Sequence, residues 1–253
     1  MKRLIASLII LSILACGESR QNNTIVTLKE NGHEKVIKDS VIMELTSDPI
    51  GELEQRLIDA GLVDLQKEIP GLLVDLRYST KNNFFGKDVY GELTRCYLQP
   101  EVASSLKKAH SVLQQKDSTL TFLVYDGVRP LSVQQILWDE LDKPEKIKPL
   151  YVADPQKGSL HNYGVAVDLS IADIRTGKSL DMGTDFDFFG YPAYPDREDQ
   201  MLREGKINEQ QVENRQLLRK VMNAAGFKGI GSEWWHFNAF SRKNAKEKFD
   251  IVK

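Results

Sequence analysis

Two short stretches carry the residue types of a hydrolytic metal site. Ser159-Leu-His161-Asn-Tyr-Gly164-Val-Ala-Val-Asp168 offers one imidazole and one carboxylate, and Glu233-Trp-Trp-His236-Phe offers a second imidazole with a carboxylate three residues before it. Zinc accepts neutral imidazole nitrogen and carboxylate oxygen at about 2.0–2.2 Å, and three such protein ligands leave a fourth position for water. His161, Asp168 and His236 make up a set of that kind, and the flanking Gly158 and Gly164 let the backbone bend tightly around the first histidine. Asp168 lies among Val165, Ala166, Val167 and Leu169, where an unpaired charge is costly to bury and a cation would remove the cost. Glu233 suits a general base that takes a proton from the attacking water and later returns it. Arg129 precedes Pro130 and follows a buried strand, so its direction is set by the backbone; it can stabilise a developing oxyanion or form a salt bridge to Asp126. One histidine beside tryptophans is more often a packed core group than a ligand, so the metal reading rests on the set.

The elements that must position these groups follow from the spacing of apolar residues. Leu72–Tyr78 alternates as a strand does, Thr121–Tyr125 reads as a buried strand entering the turn Asp126–Pro130, and Val165–Ser170 reads as a strand containing Asp168, with His161 on the loop before it. A last core strand begins near Ser232 and carries Trp234 to Phe237. Helical spacing covers Glu52–Leu65, Pro100–Lys116, Leu131–Leu141 and Asn208–Ala225. His110 falls near the polar face of the second of these and is expected at the surface, whereas Cys96 is expected to be a small buried residue. Ser79–Gly91 and Asp181–Gly190 are dense in Gly, aromatic and carboxylate residues and read as structured loops, where binding groups collect. Strands and helices without strict βαβ alternation predict a single α+β domain with a mostly antiparallel sheet flanked by helices.

Composition sets the outer bounds. A chain of 253 residues with 41% hydrophobic and 28% charged positions is long enough for one substantial core, and a net charge of −2 gives no basic footprint for nucleic acid. Residues 1–16 read as an export signal: Lys2 and Arg3, an apolar run from Leu4 to Leu14, then Ala15 before Cys16. That ending resembles a bacterial lipobox, which would make Cys16 the lipidated first residue; the alternative is an ordinary secretory signal. Residues 17–49 are expected to be a polar tether with one weak hairpin, His33 being a solvated loop residue within it, and residues 50–253 the catalytic domain. The expected setting is therefore an exported lipoprotein, membrane-anchored and periplasmic. Cys96 would then be the sole remaining thiol, without an internal disulfide.

Five segments, taken in order, resemble the signatures of the D-alanyl-D-alanine dipeptidases of the VanX type. They are Val74-Asp-Leu-Arg-Tyr78-Ser-Thr-Lys-Asn-Asn-Phe-Phe-Gly86, Asp126-Gly-Val-Arg-Pro130, Ser159–Asp168, Met182-Gly-Thr-Asp-Phe-Asp187 and Glu233–Phe237, and the likeness runs from near Leu53 to the C-terminus. The resemblance implies a zinc dipeptidase acting on free D-Ala-D-Ala, on the small α+β fold shared with D,D-carboxypeptidases and the Hedgehog signalling domain. It makes His161, Asp168 and His236 the ligands of one Zn²⁺, Glu233 the catalytic base and Arg129 the transition-state stabiliser. It also implies Tyr78, Ser159 and Asp187 as substrate contacts, with Asp187 at the free ammonium end. The sequence departs from the pattern at Val128, where an aromatic residue is common. Two rivals stay open: a D,D-carboxypeptidase or L,D-peptidase trimming peptidoglycan stems, and a non-catalytic metal-containing wall-binding lipoprotein, which would need neither Glu233 nor Arg129.

Overall fold

A computed structural model describes residues 50–253 in full, together with the backbone of two strands, β1 (Val26–Glu30) and β2 (His33–Ile37). Cys16 and the rest of the export signal lie outside the described residues. The chain divides into two units, Met1–Asp48 and Pro49–Lys253. In the first, β1 and β2 form an antiparallel hairpin with Glu30 opposite His33, so His33 opens a strand where a loop position was expected.

In the second unit the strands are β3 (Val63–Asp64), β4 (Leu73–Val74), β5 (Tyr97–Leu98), β6 (Leu120–Asp126), β7 (Ala166–Asp173), β8 (Lys228–Ile230) and β9 (Glu233–Asn238). The helices are α1 (Glu52–Asp59), α2 (Leu65–Glu68), α3 (Pro100–Lys116), α4 (Leu131–Glu140), α5 (Glu198–Arg203), α6 (Glu209–Ala224) and α7 (Arg242–Lys248). The main sheet has the order β4-β6-β7-β9-β8, antiparallel throughout except for the parallel β4–β6 pair. This is the α+β architecture expected from strands and helices that lack strict βαβ alternation. Among the described residues, no helix is long and apolar enough to cross a membrane.

The strand at the centre explains the apolar run around Asp168. β7 is flanked by β6 and β9 and is buried along all but its last residue, so both of its faces select apolar or small side chains. Pro100 opens α3, where its missing N–H costs nothing, and Val102, Leu106, Ala109 and Leu113 recur at helical spacing and are all fully buried. α6 starts at an Asn208–Gln211 capping box and buries Leu218, Val221 and Met222. α3 packs on α6 and on β6, while α6 packs on β7 and β8. Those contacts hold the strands that carry the site.

Two expectations are corrected. Leu72–Tyr78 forms a strand only at Leu73–Val74; the chain then turns into a 3₁₀ segment, Arg77–Ser79, which buries Tyr78. The alternation there reflects burial of Leu72, Leu76 and Tyr78 rather than extended pairing. His110 is not at the surface: it is 8% exposed, and its Nε2 lies 3.0 Å from the Thr121 hydroxyl on β6. A histidine one turn from Leu106 and Leu113 can satisfy its ring nitrogen on the sheet, and burial pulls its pKa down. Cys96 is buried as expected.

Candidate metal centre

His161, Asp168 and His236 meet although they come from three separate elements. Asp168 on β7 is the direct cross-strand partner of His236 on β9, so sheet register alone makes them neighbours. His161 enters from a 3₁₀ turn, Leu160–Tyr163, whose Ser159 cap accepts a hydrogen bond from the His161 N–H. Gly164 ends that turn at φ +67°, and a Cβ there would lie 2.7 Å from the Leu62 side chain, so only glycine lets the chain double back into β7.

Glu233 reaches the same place because the outer hairpin is irregular. Ile230 pairs with Glu233 across the turn, but Gly229 pairs with Phe237, so the register slips between them. In a regular strand Glu233 and His236 would face opposite sides. The irregularity brings both onto one cleft, a common use of a bulge near a functional site.

The donor atoms themselves test whether a metal fits. His161 Nε2 lies 3.1 Å from His236 Nδ1 and 3.4 Å from Asp168 Oδ1, and His236 Nδ1 lies 2.9 Å from Asp168 Oδ1. A tetrahedral ion with bonds of about 2.0–2.2 Å spaces its ligands roughly 3.3–3.6 Å apart, within a few tenths of this triangle. The far side of each ring fixes its tautomer. His161 Nδ1 donates to the Gly127 carbonyl at 2.7 Å, and His236 Nε2 donates to Asn238 Oδ1 at 2.9 Å. The two nitrogens that face each other are then both lone-pair donors, and the third corner is a carboxylate. Three buried acceptors pointing at one spot require a shared positive charge.

Electrostatics agree. Burial raises the Asp168 pKa, yet the two imidazoles outweigh it and hold the carboxyl far below the usual range. Burial lowers His236, but the bond to Asp168 and the charges of Asp168 and Glu233 carry it up to about 9. Without a cation a proton would be trapped here; a divalent ion would take its place.

Around the triangle, the cleft holds about 260 Å³ and is lined by Tyr78, Arg129, Ser159, Asp187, Glu233 and Trp235, among others. A larger groove of about 560 Å³ runs past Arg77 and Lys178, but it contains no such convergence of donors. Glu233 Oε2 stands 3.8 Å from His236 Nδ1, with 34% of its side chain still exposed. Burial, aided by the Asp168 charge and opposed by His236, raises its pKa. Arg129 forms the salt bridge to Asp126 that the sequence allowed. Its Nε and an Nη both donate to Asp126 Oδ2, at 3.0 and 2.6 Å, and the same Nη sits 4.0 Å from Asp168 Oδ2. Its guanidinium also lies over the Tyr78 ring, 4.9 Å from the centroid. Asp126 is wholly buried and takes a further bond from Tyr90, which locks the fork in place.

The substrate-contact candidates converge on the same cleft. The Tyr78 hydroxyl donates to Asp187 Oδ2 at 2.9 Å, and Asp187 adopts a left-handed backbone, φ +60°, uncommon for a non-glycine residue. Burial and the nearby Asp168 push the Asp187 carboxyl well above its ordinary pKa, against the pull of Arg129 and Tyr78. That group lacks a full counter-charge. Val128, the departure from the family pattern, is buried at 2% exposure.

A family model described as D-ala-D-ala dipeptidase, of the M15 peptidases, matches residues 58–253. The chain belongs to that family. It is thereby a metallopeptidase. Among curated M15 relatives, the D-alanyl-D-alanine dipeptidase of Escherichia coli is 36% identical over 70% of this chain and 83% of its own length. The Enterococcus faecium protein of the same name is 30% identical over 71% of this chain and 92% of its own. A solved vancomycin-resistance D,D-dipeptidase, VanXYg, in complex with a D-Ala-D-Ala phosphinate analogue, aligns at 19% identity and a TM-score of 0.37 over 74% of this chain and 69% of that one. A likeness that distant carries no weight by itself.

Several further groups shape this M15 site beyond the candidate residues that the motifs single out. Asn238 orients His236, and its position two residues further along the same strand could have revealed it. Gly127 orients His161 through its carbonyl; a Cβ on Gly127 would lie 2.5 Å from Cys96 Sγ. Arg215, fully buried on α6, donates to the carbonyls of Met182 and Pro192 at 2.6 and 2.8 Å and so ties down the loop that bears Asp187. Tyr151 and Phe189 line the cleft from loops where aromatic spacing has no helical or strand period.

Proposed function

We propose that the domain is a zinc-dependent D-alanyl-D-alanine dipeptidase that cleaves free D-Ala-D-Ala in cell-wall peptide metabolism. The observation that carries this reading is the convergence of three lone-pair donors beside a carboxylate and a fixed guanidinium in one small cleft. The relatives named D-alanyl-D-alanine dipeptidase support the substrate. His161, Asp168 and His236 would hold one Zn²⁺, which supplies polarisation of the scissile carbonyl and brings the pKa of a bound water to about 7.

The chain's own groups do the rest. Glu233 takes the proton of the attacking water on Oε2 and delivers it to the departing amine. Arg129, pinned by Asp126, faces the charge that grows on the carbonyl oxygen. Asp187, with Tyr78 holding its carboxylate, meets the substrate ammonium; the incoming positive charge supplies what that carboxyl lacks and restores its ionisation. Ser159 accepts from the His161 N–H, which leaves its hydroxyl hydrogen to donate to substrate. A cleft of about 260 Å³ lies below the roughly 300–1,000 Å³ of sites for drug-sized ligands, which suits a dipeptide over an extended stem.

Assays of free D-Ala-D-Ala and of an N-acetylated stem peptide, each with and without chelator, test the reading. Chelator-sensitive cleavage of the free dipeptide is expected, with the blocked peptide cleaved slowly or not at all. Faster cleavage of the blocked peptide would favour the carboxypeptidase rival, and metal binding with no cleavage of either would favour the wall-binding one.

The address is part of the proposal: an exported bacterial lipoprotein held at the membrane through Cys16, the active domain facing the periplasm. Cells expressing the protein should label it with radioactive palmitate, and Cys16→Ala should abolish the label and release the protein into the soluble fraction. Wild-type protein that takes up no label would leave only the ordinary secretory signal, and equal labelling of the variant would move the lipid away from Cys16.

A further inference from the structure

We propose that Tyr151 and Phe189 are specificity-determining residues: a wall one ring thick that confines the cleft to unextended dipeptides. The inference rests on the dipeptidase reading and adds the groups that enforce it. Both side chains line the catalytic cleft, and both also line a second groove of about 450 Å³ on their other side. Their rings meet with centroids 4.7 Å apart.

The wall stands at the end of the cleft where a substrate ammonium would sit. Phe189 follows Asp187 by two residues. Its ring packs edge-on against Phe84 at 5.0 Å, and Phe84 packs edge-on against Tyr78 at 6.3 Å, the tyrosine that donates to Asp187. An aromatic row, Tyr78-Phe84-Phe189-Tyr151, therefore runs from the ammonium subsite to the partition. A peptide lengthened at its amino end would have to pass through Phe189 and Tyr151. Behind them the outer groove is lined by Phe84, Phe85, Lys87, Glu140, Leu141 and Lys143, a mixed apolar and charged surface with room for further residues. Lys143 lies over the outer face of Tyr151 at 5.4 Å, and the Lys87–Glu140 ion pair joins the two banks of the groove. The carboxylate of Asp187 and the aromatic wall thus exclude longer chains by separate means, one by charge and one by volume.

The test compares wild type with Phe189→Ala and Tyr151→Ala, each checked by circular dichroism, on free D-Ala-D-Ala and on diacetyl-L-Lys-D-Ala-D-Ala. The readout is the ratio of kcat/KM for the longer peptide to that for the dipeptide, which is insensitive to a general loss of activity. Wild type should strongly favour the dipeptide, and at least one variant should raise the ratio by about tenfold or more, the scale on which a pocket discriminates by volume. Phe189→Tyr and Tyr151→Phe, which keep the ring, should leave the ratio near the wild-type value. An unchanged ratio in both folded alanine variants would overturn the wall while leaving the dipeptidase reading intact. Wild type that cleaves the longer peptide as readily as the dipeptide would overturn both. If wild type cleaves neither, the dipeptidase reading fails first and takes the wall with it.

Discussion

Replacing Glu233 by Ala is expected to reduce kcat by roughly 10²–10⁴-fold, the usual worth of a positioned acid–base group, while leaving metal content unchanged. Glu233 stands close to the ligand triangle, 3.8 Å from His236 Nδ1, without being a corner of it. It also retains 34% of its surface, so truncation leaves no packed void and unfolding should be little affected. Burial raises its proton affinity, which suits a group that must hold a proton between two steps. Glu233→Gln should be equally inactive despite its matching shape. A purified variant that turned over within a few-fold of wild type would remove Glu233 from the mechanism.

Arg129→Ala should be damaging in two separable ways. Loss of a charge that faces the developing oxyanion should cost about 10²–10³ in kcat. Loss of the counter-ion of a fully buried carboxylate, Asp126, should cost about 3–5 kcal/mol of stability, since Tyr90 alone cannot balance the charge. The pair Asp126→Asn with Arg129→Met separates the two effects: denaturant unfolding should recover much of the stability, while turnover stays low. Recovery of turnover together with stability would reduce Arg129 to a structural ion pair.

The parts of this architecture that were legible from the residues are those with a period or a motif. α3 and α6 announce themselves by apolar spacing. Asp168 within an apolar run reads as a buried charge in need of a cation, and it is 3% exposed. That His236 faces Asp168 depends on the register of β7 against β9, which no local pattern contains; ligand chemistry and the family resemblance group the two residues without giving that pairing. The slip in the outer hairpin that turns Glu233 onto the side of His236 was equally hidden, because strict alternation would have separated them. Tyr78 was misplaced on a strand because burial of alternate residues looks the same in an extended segment and in a strand leading to a 3₁₀ turn. His110 was misplaced because a helix face that meets a sheet can accept a polar ring wherever a hydroxyl such as Thr121 waits for it. Tyr151, Phe189 and Arg215 act through loops, whose paths are set by the whole fold rather than by neighbouring sequence.

Zinc content after exhaustive dialysis, measured on the purified wild-type protein and on Asp168→Ala, tests the shared-cation centre most directly. The geometry predicts close to one equivalent in wild type and its loss in the variant, with circular dichroism unchanged. Full retention of zinc by Asp168→Ala, or a folded wild type with no affinity for the metal, would contradict it.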